Sequence, residues 1–90
     1  MINLIRVHYY DHFALRGVKM NVSYNKLWKL MIDKNMNKTQ LKNEAHLSTN
    51  VIAKLGKNET VSINTLSKIC EVLQCNIGDI VDFVSNDKED

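Results

Sequence analysis

The side chains best equipped for recognition chemistry lie in one stretch, Lys38 to Lys57, KTQLKNEAHLSTNVIAKLGK. At about 100° per residue, a helix following Ser48 puts Thr49, Asn50, Ala53, Lys54 and Lys57 on one side and Val51, Ile52 and Leu55 on the other. The polar side is small and cationic and carries no carboxylate: Glu44 lies before it, and the next acid is Glu59. Asparagine can make two hydrogen bonds to an adenine edge. Lysine can donate to guanine O6 and N7, and a threonine methyl can touch a thymine methyl. A short helix with these features fits the major groove of double-stranded DNA. Other candidate chemistry is sparse. His8 and His12 stand four apart and would share a helix face, but no third metal ligand accompanies them. Cys70 and Cys75 are five apart, wider than zinc-site spacing and without a second pair, so they read as reduced core cysteines. No nucleophile–base pairing, phosphate loop or paired carboxylate motif stands out. No enzyme, metal or cofactor is therefore expected.

The elements that would hold this helix follow from caps and periodicity. Helix one is expected over Tyr24 to Lys34, capped by Ser23, with Leu27, Trp28, Leu30 and Met31 as its apolar stripe and Asn35 as a left-handed stop. Tyr24 and Trp28 read as core aromatics. Helix two starts after Asn37, where Gln40 completes a capping box, and turns Leu41 and Ala45 inward. The turn through His46 and Leu47 is tight, with His46 in a left-handed conformation. Ser48 caps helix three, Thr49 to Leu55, and Gly56 stops it. Helix four, Ile63 to Leu73, has Ser62 as its cap, a Val61–Leu66 staple, and Leu66, Ile69, Cys70 and Leu73 on its buried side. Helix five is expected over Ile77 to Val84, capped by Asn76 with Asp79 completing a box, its apolar face made of Ile77, Ile80, Val81 and Val84.

Ninety residues make one small domain. With 44% apolar residues, three glycines and no proline, the composition suits helices joined by short turns. The expected class is all-α. No apolar run approaches the ~20 residues of a membrane span, and the start lacks a secretory pattern, so a cytoplasmic location is expected. The net charge of +2 conceals a dipole. From Lys26 to Lys57 seven lysines face two acids, a net of +5, while from Asn58 to Asp90 two lysines face seven acids, a net of −5. A basic half suits a polyanion whose condensed counterions it releases; a solvated surface with incidental asymmetry is the plainer alternative.

Residues 1–19, MINLIRVHYYDHFALRGVK, form an N-terminal extension with no clean periodicity. Arg16-Gly17 can be encoded by a purine tract similar to a ribosome-binding site, a short distance before Met20, so the extension can also be translated upstream sequence. Intact mass from the native locus decides this. Residues 20–84 are read as the domain and residues 85–90 as an acidic tail.

Several positions taken together resemble a known family. Met36-Asn37-Lys38-Thr39-Gln40-Leu41, Ala45, Leu47-Ser48, Ile52, Leu55, then Leu66, Ile69, Leu73 and Ile77-Gly78-Asp79-Ile80 are similar to the Cro/C1-type (XRE) helix-turn-helix domain. NVSYNKLWKLMIDKNMNKTQL and KLGKNETVS resemble small stand-alone regulators of Gram-positive bacteria, including the VanU-like group. The resemblance covers about Met20 to Val84. It implies a compact five-helix, lambda-repressor-like fold with base contacts at Thr49, Asn50, Lys54 and Lys38. It also implies phosphate contacts at Asn37, Lys57 and Asn58; Lys42, outside that pattern, is expected either to turn outward toward DNA or to hold the two helices slightly apart. Two positions depart from the family's pattern, Lys42 where alanine is usual and His46 where glycine is usual.

The leading expectation is a sequence-specific DNA-binding transcriptional regulator. It would be a homodimer reading two half-sites of a palindromic operator about one helical turn apart, with repression the first expectation. The alternative is a protein-interaction module on the same fold, such as an antitoxin. In that case residues 1–19 or the acidic C-terminal half would engage a protein partner.

Overall fold

A computed structural model describes residues 20–85. In chain order the elements are β1 (Met20–Ser23), α1 (Asn25–Asp33), α2 (Lys38–Glu44), α3 (Thr49–Gly56), α4 (Ile63–Leu73), a 3₁₀ turn (Ile77–Asp79) and β2 (Asp82–Ser85). The readings made for residues 1–19, His8 and His12 included, lie outside the described residues.

The helices start where side-chain oxygens replace missing backbone acceptors. The Asn37 side chain accepts from the Gln40 N–H at 2.8 Å, and Gln40 Oε1 accepts from the Asn37 N–H at 2.8 Å, closing the expected box. Ser48 Oγ accepts from Val51 at 3.1 Å and Ser62 Oγ from Thr65 at 3.0 Å. Helix one begins one residue later than expected and ends one earlier. Tyr24 takes the cap position, while Ser23 Oγ still accepts from the Asn25 N–H at 3.3 Å.

All four described α-helices end by one device, without glycine. Asn35, His46, Asn58 and Gln74 have φ of 56–57°. The residue after each donates its N–H back five positions: Met36 to Met31 (2.9 Å), Leu47 to Lys42 (2.9 Å), Glu59 to Lys54 (2.9 Å) and Cys75 to Cys70 (3.1 Å). This is the Schellman closure, in which one left-handed residue turns the chain and satisfies an orphan carbonyl. It corrects the reading of Gly56 as the stop of helix three. Gly56 is that helix's last residue, and Asn58, whose short polar side chain tolerates the left-handed region, makes the turn.

The expected five-helix, all-α class is corrected as well. Among the described residues four α-helices are accompanied by a two-stranded antiparallel sheet in which Met20 faces Ser85 and Ser23 faces Asp82. The segment expected to be helix five begins as one: the Asn76 N–H donates to Asp79 Oδ2 at 2.9 Å. It stops after one 3₁₀ turn. Val81, Phe83 and Val84 favour an extended backbone, and β1 supplies partners that a lone terminal helix would lack. Phe83 consequently stands opposite Val22. Of the four apolar positions assigned to helix five, Ile80 is buried, Val81 is half-buried, and Ile77 and Val84 are exposed.

The core gathers Leu27 and Met31 of α1, Leu41 of α2, Leu55 of α3, Leu66, Ile69 and Leu73 of α4, with Tyr24, Ala45 and Ile80. The i, i+4 and i, i+3 spacings that placed these residues inward hold. Trp28, expected in the core, is only half-buried and packs against its edge.

Candidate nucleic-acid interface

The α3 segment has the division expected from its periodicity. Leu55 is fully buried and Val51 and Ile52 are half-buried, anchoring one side to the core. Thr49, Asn50, Ala53 and Lys54 are exposed on α3, and Lys57 and Asn58 are exposed just beyond it. At the start of α2, Asn37 and Lys38 are exposed too. The two groups are neighbours in space. Lys38 Nζ lies 3.9 Å from the point where a Cβ on Gly56 would stand, so the first turn of α2 meets the last turn of α3. Asn37 and Lys38 thus come close to the end of α3 from which Lys57 and Asn58 follow. Lys42 is the exception among the expected contacts: it is half-buried, in α2.

The arrangement is two helices joined by a tight turn at His46, the second helix presenting a polar, carboxylate-free side. A family model for the Cro/C1-type helix-turn-helix DNA-binding domain matches residues 26–86. The chain belongs to that family. It is also 52% identical to the solved structure of the transcriptional regulator VanUg, with a TM-score of 0.71 over 72% of this chain and 87% of that one. No curated protein matches the chain.

In this Cro/C1-type domain three contacts around the interface were not legible in the sequence. The first concerns Lys38. Its ammonium sits 4.6 Å from the centroid of the Trp28 ring, a cation–π geometry that ties the start of α2 to α1. Trp28, expected in the core, and Lys38, expected at the DNA, are thus neighbours in the folded chain. The second concerns Asn58. Its Oδ1 accepts from the Tyr24 N–H at 3.2 Å, so part of this expected phosphate contact already serves the fold. The third is Tyr24 itself. Its hydroxyl donates to the Glu59 carbonyl at 2.7 Å, and the loop after α3 is thereby pinned to the start of α1 from both sides. The only sequence signal was general: a buried tyrosine needs a partner for its hydroxyl. Burial pushes the Tyr24 phenol above its ordinary value, partly offset by the backbone at Val61.

Two thiols lie on and just beyond α4. Cys70 and Cys75 are free, half-buried thiols occupying the two places that a Schellman closure brings into side-chain contact. Burial first, and then the adjacent Cys70, push Cys75 up to about 11, which keeps it a thiol at neutral pH. Among the described residues no group of three His, Cys, Asp or Glu side chains is placed to hold a metal. No helix among them is long and apolar enough to cross a membrane.

Proposed function

We propose that this protein is a sequence-specific regulator of transcription that inserts α3 into the major groove of its operator. Thr49, Asn50 and Lys54 read base edges, and Lys38 reaches DNA at the edge of the same face once its ammonium leaves Trp28. Asn37, Lys42, Lys57 and Asn58 approach phosphates. The observation that carries this reading is the exposed, carboxylate-free side of α3, backed by a buried Leu55 that holds the helix rigidly. The charge of that side attracts the duplex at any sequence, whereas Asn50 and Lys54 can discriminate among bases.

Residues 20–84 act as the DNA-binding unit, and the working form is a homodimer on two half-sites in the cytoplasm. Promoter occupancy makes repression its simplest mode of action. The likeness to VanUg, itself a transcriptional regulator, supports a regulatory role. The interaction-module alternative turned on residues 1–19, which lie outside the described residues, and no observation favours it.

The test is binding to the duplex upstream of the protein's own gene against a random duplex across a salt series. A preference for the upstream duplex that survives added salt supports specific regulation. Equal, weak binding to both that vanishes with salt rejects it.

A further inference from the structure

DNA reading by α3 leaves one feature of the described surface without a use. Between the sheet, the start of α4 and the 3₁₀ turn lies an apolar cleft of about 490 Å³, lined by Val22, Val61, Ile63, Ile77, Val81 and Phe83 among others, with no charged side chain in its wall. Large apolar groups stand open to water in or beside it: Ile63 is 69% exposed, Phe83 65%, Ile77 44%, and Met20, on the same side of the sheet as Val22, 57%. We propose that a second copy of this chain covers the cleft, which makes it the dimer surface of the regulator.

Three observations select a second copy as the occupant. The first is charge. A cleft wall without cations or acids offers nothing to a phosphate or a charged peptide, but two identical apolar surfaces related by a two-fold axis meet without mismatch. The second is area. At roughly 150–250 Å² for a large side chain, the exposed fractions leave on the order of 500 Å² of apolar surface in water. That lies at the upper range of apolar patches on stable monomers, about 300–600 Å². It also equals the apolar share of a standard interface, which buries about 800 Å² per partner at roughly 60% apolar. The third is position. The cleft begins at Thr60 and Val61, directly after the loop that carries Lys57 and Asn58. Two copies joined there place their α3 helices on either side of the symmetry axis, as two half-sites require.

The inference rests on the two-half-site reading above, so its test begins without DNA. Sedimentation velocity of the full chain over a concentration series should show a reversible dimer. Ile63→Glu and Phe83→Lys should each weaken self-association on the order of 30-fold or more. Both side chains are mostly exposed, and a glutamate at the first residue of α4 suits the helix dipole, so folding is spared and circular dichroism checks it. If either variant loses its helix signal, the other one and the amide shifts that move on dilution of the wild-type chain decide. Shifts confined to β1, β2 and residues 60–63 and 77–81 support the proposal. A wild-type chain that stays monomeric at high micromolar concentration overturns it, and so does a dimer indifferent to both substitutions. A separate arm distinguishes failure of the DNA reading. The two variants should bind a single half-site duplex as wild type does and lose only the gain from a second half-site. A dimer that binds neither duplex would keep this surface and reject the DNA role.

Discussion

Replacing Tyr24 by phenylalanine isolates the hydroxyl that holds the loop after α3. The side chain is 1% exposed, and phenylalanine keeps the ring, so no cavity opens. What is lost is the 2.7 Å bond to the Glu59 carbonyl. A hydrogen bond contributes about 0.5–1.5 kcal/mol net, and a carbonyl stranded away from water costs about 1–3 kcal/mol. Because this carbonyl is only partly buried, the expected loss is about 1–2 kcal/mol. For a domain of this size that lowers Tm by roughly 5–15 °C. Urea denaturation followed by circular dichroism measures it, and the m-value should be unchanged. The pH dependence adds a second signature. Burial raises the folded-state pKa of Tyr24 above its ordinary 10.0. The folded chain therefore keeps the proton longer than the unfolded one. The contribution is fully present below pH 10.0 and is lost as pH rises through the folded-state value. The stability gap between wild type and Tyr24→Phe should narrow on that alkaline side. Equal stability of the two proteins at neutral pH would refute the argument that this hydroxyl pins the loop.

Three further perturbations probe other links. Asn50→Ala should cost about 1–3 kcal/mol at one base position, whereas Lys57→Ala should weaken binding to every sequence and flatten the salt slope by about one unit. Fluorescence anisotropy on cognate and random duplexes separates the two, and equal losses for Asn50→Ala on both would remove it from base reading. Ser62→Ala deletes the cap of α4 and should lower stability by about 1 kcal/mol in urea melts, with DNA contacts untouched. Cys75, raised from 9.0 to about 11 by burial and by Cys70, should give an alkaline stability loss that starts above the lower value and is complete above the higher one. Cys75→Ala should lack that loss, and an unchanged alkaline profile would count against the buried-thiol account.

Local rules, readable one segment at a time, settled most of the helical frame. Caps at Asn37, Ser48 and Ser62 need only a side-chain oxygen three residues before a bare N–H. The inward positions of Leu27, Leu41, Leu55, Leu66, Ile69 and Leu73 need only the 3.6-residue period. The polar side of α3 was visible for the same reason, since a helix carries its faces wherever it is placed. His46 could be assigned a left-handed turn because the conformational preference belongs to the residue.

What needed the tertiary structure was every feature made by residues distant in sequence. The Ile77–Val84 segment satisfies a helical period, yet its end from Asp82 onward pairs with β1, because a strand's hydrogen bonds come from a partner about 60 positions away, and no local pattern names that partner. Lys38 and Trp28, Tyr24 and Glu59, and Tyr24 and Asn58 are likewise joined by folding across α1. The apolar cleft exists only once β1, α4 and the 3₁₀ turn are assembled. Composition and periodicity determine which side of an element seeks burial; they do not determine which element covers it, and at this cleft none of the described residues does.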